Sequence, residues 1–145
     1  MRGNFSLTNL TRASVRGIPF LKIKEKILGK KYELSVALVG SAEMRVAMKY
    51  KKPRRKIGVP TKASGDKVSN VLAFPLSKHS GEILLCPAAR KPYSLEYLFI
   101  HGCLHLKGMR HGGTMDRMEQ RLCAEVSLSL HAKDRNRNRR RLVSR

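Results

Sequence analysis

The sequence predicts an α+β fold: a small mixed β-sheet of about four strands packed with helices, with a central helix that carries histidines. Three observations predict it. Strand-type runs interleave with helix-type runs through the first two thirds of the chain, and the last third reads as helix. No apolar run approaches the ~18–20 residues of a membrane-spanning helix, so the apolar blocks belong to a core. The length of 145 residues fits one domain, placed at residues 1–131, followed by a basic tail at 132–145.

The elements follow in order. Phe5–Leu10 alternates loosely and predicts a strand. Ser14–Leu28 carries Val15, Ile18, Leu21, Ile23 and Leu28, which predicts a helix ended by Gly29, with Pro19 disturbing its start. Tyr32–Val39 alternates at Leu34, Val36 and Leu38 as a half-buried strand does. Ser41 is an N-cap for a short helix over Ala42–Lys49. Val68–Pro75 and Glu82–Cys86 are two more strands, joined by the polar turn Ser77–Gly81. Ser94 caps a largely apolar helix from Leu95 to Lys107, and Gly108 stops it. Asp116–Leu130 is the last helix, with Met118, Leu122 and Val126 on one stripe.

Charge indicates the partner class. Against 10 acidic residues stand 31 Lys and Arg, a formal charge of +21, and a surface so cationic binds polyanions by counterion release. A merely solvated basic surface is the other reading. Lys49–Lys56 holds six cations (Lys49, Lys51, Lys52, Arg54, Arg55, Lys56) around Pro53, which predicts an exposed loop. The tail from Ala132 adds seven more and predicts disorder. Aromatics make up 6% of the chain and Trp is absent, so the composition gives little support to a stacking platform for single-stranded bases. The N-terminal residues lack the apolar core of a secretory leader. An odd set of cysteines (Cys86, Cys103, Cys123) without a C-x-x-C pair predicts reduced thiols and a cytoplasmic protein.

Three of the five histidines fall in IHGCLHLKGMRHG. His101 and His105 are one helical turn apart and share a face. His111 follows the glycine that lets the chain fold back. Three neutral imidazoles with an open fourth position suit catalytic Zn²⁺ at Zn–N distances of roughly 2.0–2.1 Å. Nickel and copper also accept such ligands. Histidines at helical spacing also occur as ordinary side chains, but two imidazoles on an otherwise apolar helix need partners, and a metal satisfies both. Cys103 lies on the opposite face and reads as core. His79, in a turn, and His131, at the tail, read as surface. A zinc peptidase of the H-E-x-x-H type is excluded, because Gly102 stands where that motif has its glutamate.

The run HGCLHLKGMRH, His101 to His111, resembles the H-G-x-L-H-L-x-G-x-D-H pattern of the YbeY family, metal-dependent endoribonucleases of rRNA maturation. Ser69–Leu76 (SNVLAFPL) is similar to that family's T-D/N-V-L-S-F-P, and Gly81–Pro87 (GEILLCP) to its G-D/E-I-x-I/L-C strand. Tyr32–Val39 with Ala42–Met44 resembles its early strand and helix, so the likeness covers most of residues 32–126. It implies an α+β fold and one Zn²⁺ on His101, His105 and His111. It also implies cleavage of single-stranded RNA at the 3′ end of small-subunit rRNA, with the ribosomal small subunit as partner and a part in ribosome quality control. Two departures stand out. Arg110 replaces the Asp before the third histidine. The N-x-x-Y-R stretch is altered, with Met48 near the Asn position and Lys51 after Tyr50.

The chemistry expected of such a site needs a metal ion to activate water and a cation to offset charge on the phosphate. Arg54, Arg55 and Lys51 are the candidates for that cation, and arginine suits it best because its fork grips two phosphate oxygens. Glu82 is the carboxylate candidate for proton transfer, its other reading being a strand-edge surface residue. Arg110 joins the basic loop as an RNA contact. Two further readings compete: a non-catalytic RNA- or ribosome-binding factor with a structural metal, and a hydrolase of other phosphate esters.

Overall fold

A computed structural model describes residues 4–51 and 68–126. The described elements are β1 (Phe5–Asn9), α1 (Phe20–Leu28), β2 (Glu33–Leu38), α2 (Ser41–Lys51), β3 (Val71–Ser77), β4 (Ser80–Leu85), a 3-10 turn (Pro87–Ala89), α3 (Leu95–Leu106) and α4 (113–126). The four strands form one mixed sheet in the order β1-β2-β4-β3. β1 and β4 run parallel to β2, while β3 pairs antiparallel with β4 at the edge. The predicted α+β class is the observed one.

Alternation along the strands divides the core. Leu34, Val36 and Leu38 of β2 and Ile83 and Leu85 of β4 are buried on one face, where they meet α1 and α3. The opposite face is covered by α2 through Met44, which clusters with Val39 and Cys86, and Ala37, Leu72 and Leu84 pack against them. Phe20 of α1 meets Phe99 of α3 edge to face, with ring centroids 4.9 Å apart. That geometry suits the ring quadrupoles.

Several boundaries differ from the sequence reading, each for a local reason. α1 begins at Phe20 and not at Ser14, because a proline disfavours helical backbone at the residue before it. α2 continues to Lys51, so Lys49–Lys51 are helix and not loop, and the rest of the Lys49–Lys56 run lies outside the described residues. β3 continues past Pro75 to Ser77, and its register shifts there. An edge strand tolerates a residue that cannot donate to the ladder. The turn of β3–β4 is therefore only Lys78 and His79, and His79 is exposed as expected. α4 begins at 113, and the expected end at Leu130 lies outside the described residues. So do the tail and His131.

α3 is the element that positions the site. Ser94 caps it, its Oγ accepting from the Tyr97 N–H at 3.2 Å. Leu95, Leu98, Phe99, Ile100, Cys103 and Leu104 are buried, so Cys103 is core as predicted. Gly102 allows α3 to lie close to the sheet: a Cβ there would come within 3.1 Å of Ile83 and 3.3 Å of Val71.

Candidate metal centre

The C-terminus of α3 builds the site from its backbone. Gly108 has φ +102°, a conformation that favours glycine. Its N–H bonds to the His105 carbonyl, and the Met109 N–H bonds to the Leu104 carbonyl, both at 3.0 Å. This double closure is a Schellman motif. It turns the Met109 carbonyl back toward α3, where it lies 3.1 Å from His105 Nδ1, and it sends the chain round so that His111 faces the helical pair.

The three predicted histidines converge. One ligand atom from each of His101, His105 and His111 lies within 4.8 Å of the others. The ring centroids are separated by 4.5 Å (His101–His105), 4.9 Å (His101–His111) and 4.5 Å (His105–His111). His101 and His105 are half-buried, and His111 is exposed.

Their outer contacts determine which nitrogen faces inward. A carbonyl only accepts, so His105 Nδ1 carries the proton and donates to Met109 O. His101 Nδ1 lies 2.5 Å from Glu119 Oε1 and donates to it. Both Nε2 atoms then present lone pairs, and they are 3.0 Å apart. Lone pairs at that separation repel unless a proton or cation stands between them. A third imidazole on the same side makes a divalent ion the fitting occupant, and the carboxylate–imidazole pair is the usual support of a metal-ligating histidine.

Glu119 was not anticipated. It lies on α4 between Met115 and Leu122, facing the core, and is only 2% exposed. Both of its oxygens are engaged: Oε1 with His101, and Oε2 with the Tyr97 hydroxyl, which donates at 2.6 Å. That bond, then burial and the nearby carboxylate charge, push the Tyr97 phenol well above its ordinary pKa. The sequence signal was present: a glutamate four residues after Met115 and three before Leu122 interrupts an apolar stripe on its buried side.

An open cleft of about 590 Å³ adjoins the histidines. Ser69–Ala73 and Pro75 form one wall, and His101, Gly102, His105 and His111 the other. The Ser69 N–H donates to Met48 Sδ at 3.3 Å, which ties the end of α2 to this wall. Lys49 is exposed on that helix end. Lys51 is the last described residue of the helix, and Lys52, Arg54, Arg55 and Lys56 lie outside the described residues. Arg110 is exposed in the turn before His111. Glu82 does not join the histidines. It is exposed and pairs in register with Phe74, on the sheet face opposite Ile83 and Ala73, which face α3. The expected proton-transfer role therefore has no geometric support, and the strand-surface reading of Glu82 fits.

A mixed sheet bearing a helix–turn with three converging imidazoles beside a cleft defines a candidate mononuclear metal-centre protein. No protein-family model matches the chain. Over 58 residues it is 40% identical to a protein of Rubrobacter xylanophilus named endoribonuclease YbeY. That stretch is 37% of this chain and 42% of the relative, so the match spans well under half of either protein. Among the described residues no helix is long and apolar enough to cross a membrane.

Proposed function

We propose that this chain is a metal-dependent endoribonuclease that hydrolyses phosphodiester bonds of single-stranded RNA. The convergence of His101, His105 and His111 beside an open cleft supports it most. A divalent ion held by these rings would supply Lewis acidity, polarising a phosphoryl oxygen and activating water at neutral pH. Glu119 and the Met109 carbonyl hold His101 and His105 in the tautomer whose Nε2 would present its lone pair to the ion. Arg110 presents a guanidinium to phosphate oxygens next to His111. Lys49 and Lys51, with Lys52, Arg54, Arg55 and Lys56 beyond them, neutralise the RNA backbone, and Arg54 or Arg55 offsets charge developing on the reacting phosphate. Glu82 has no part in this scheme. We take the ion to be zinc, the substrate to be rRNA maturing on the ribosomal small subunit and the compartment to be the cytoplasm.

One observation favours a second reading. Arg110 stands where the resembling pattern has a carboxylate, which suits a non-catalytic RNA-binding factor whose metal is structural. Incubating metal-loaded protein with unstructured RNA distinguishes the two, with His105→Ala as control. Cleavage that the control lacks supports the hydrolase. Tight RNA binding without cleavage supports the factor.

A further inference from the structure

The ligand stripe of α3 extends toward the surface as aromatic rings. Tyr97, His101 and His105 recur every four residues on one face of α3, and Tyr93, just ahead of the Ser94 cap, continues that spacing. The Tyr93 and Tyr97 rings stack at 4.8 Å with 14° between their planes, and the Tyr97 and His101 rings lie 6.2 Å apart at 27°. Tyr97 is held in place by Glu119, the carboxylate that also holds His101. Tyr93 has no such cover. It is 46% exposed, an aromatic ring backed by Tyr97 and open to water. Arg90 and Lys91, just before it, are both exposed. Aromatics are sparse in the chain as a whole, yet two of the four tyrosines are gathered at this rim.

We propose that Tyr93, backed by Tyr97 and flanked by Arg90 and Lys91, is a stacking subsite for an unpaired nucleobase at the edge of the three-histidine centre. This rests on the single-stranded RNA reading above and names what is recognised. Every base has a π-face, so stacking is tolerant of sequence, and a base inside a duplex has both faces covered by its neighbours. The subsite therefore selects unpaired strands, not particular sequences. Arg90 and Lys91 hold the adjoining phosphates, an assignment consistent with the charge of +21.

The chain has no tryptophan, so Tyr93→Trp introduces a single indole, which can be excited apart from the three remaining tyrosines. Titration of that metal-loaded variant with oligouridylate should quench its emission, whereas the same strand annealed to oligoadenylate should not. With labelled oligouridylate, Tyr93→Ala should bind at least about fivefold more weakly, and Tyr93→Phe within about twofold of the parent. Tyr93→Ala should leave the salt dependence of binding unchanged, whereas Arg90→Ala should reduce its slope by about 0.7. Full metal content in each variant verifies the fold. Absence of quenching together with parental affinity in Tyr93→Ala overturns the subsite, whether or not the protein cleaves RNA. Quenching without cleavage upholds the subsite and overturns the hydrolase reading.

Discussion

Glu119 on α4 and His101 on α3 share a hydrogen bond of 2.5 Å, made between a carboxylate and the ring nitrogen that faces away from the other two histidines. The acid is buried and its second oxygen is taken by Tyr97, so it cannot swing out to ligate. Its work is done through the imidazole: it fixes the ring plane and selects the tautomer.

Glu119→Gln keeps the shape and removes the charge. Metal affinity should fall roughly 10–100-fold, the usual cost of losing such a support. Chelator competition measures it, and the melting temperature of the metal-free form checks that packing survives. Unchanged affinity would mean that His101 is oriented without help.

Alanine at His101, His105 or His111 should abolish stoichiometric metal binding, while His79→Ala and His131→Ala should retain it. Metal content of the purified variants decides. Full content in His111→Ala would reduce the site to the helical pair.

Arg110→Asp places an anion beside His111. Removing a nearby positive charge favours the cation, so metal binding should tighten while RNA binding weakens. Titrations of each ligand report the two effects independently. If neither affinity moves, Arg110 serves neither the metal nor the RNA.

Gly102→Val forces branched carbon into the contact between α3 and the sheet, where even a Cβ would sit 3.1 Å from Ile83. Overpacking of this kind costs about 1–3 kcal/mol. The urea midpoint should fall accordingly, and metal affinity with it, because the helix that bears two ligands must lift. A midpoint equal to the parent's would show that Ile83 gives way.

Lys24 is buried on α1 and donates to the Lys30 carbonyl at 2.9 Å. Burial lowers its pKa from 10.5. As pH rises, the folded state therefore loses this proton first, and the unfolded chain then binds more protons. In the window between the lowered value and 10.5 the Lys24 contribution makes stability rise with pH. Cys103 opposes this, since burial raises its pKa and the unfolded thiol ionises first. The comparison is thus between parent and Lys24→Met: urea midpoints across the alkaline range should rise less in the variant. Parallel curves would show that Lys24 is not the group that titrates.

The parts legible in the sequence were those set by chemistry within a few residues. The Ser94 cap, the four-residue histidine spacing and the stop at Gly108 are local, and the structure has each of them. The strands of the core were legible through alternation, as at Leu34, Val36 and Leu38. Boundaries near proline were less so, because Pro19 and Pro75 act according to the neighbouring strand or helix as well as their own backbone. Glu119 was legible as an interruption of the apolar stripe of α4, but its partners were not. A glutamate on a helix is ordinarily solvated, and only the packing of α4 against α3 shows that Tyr97 and His101 satisfy it.

The three candidate ligands differ in how far folding has already placed them. His101 and His105 belong to a packed helix and are held before any ion arrives, whereas His111 stands in an exposed turn. An ion held by all three rings would therefore rest on two ligands fixed by the core and one carried by the short turn between Gly108 and His111. Its exchange would then depend on that turn and not on opening of the core.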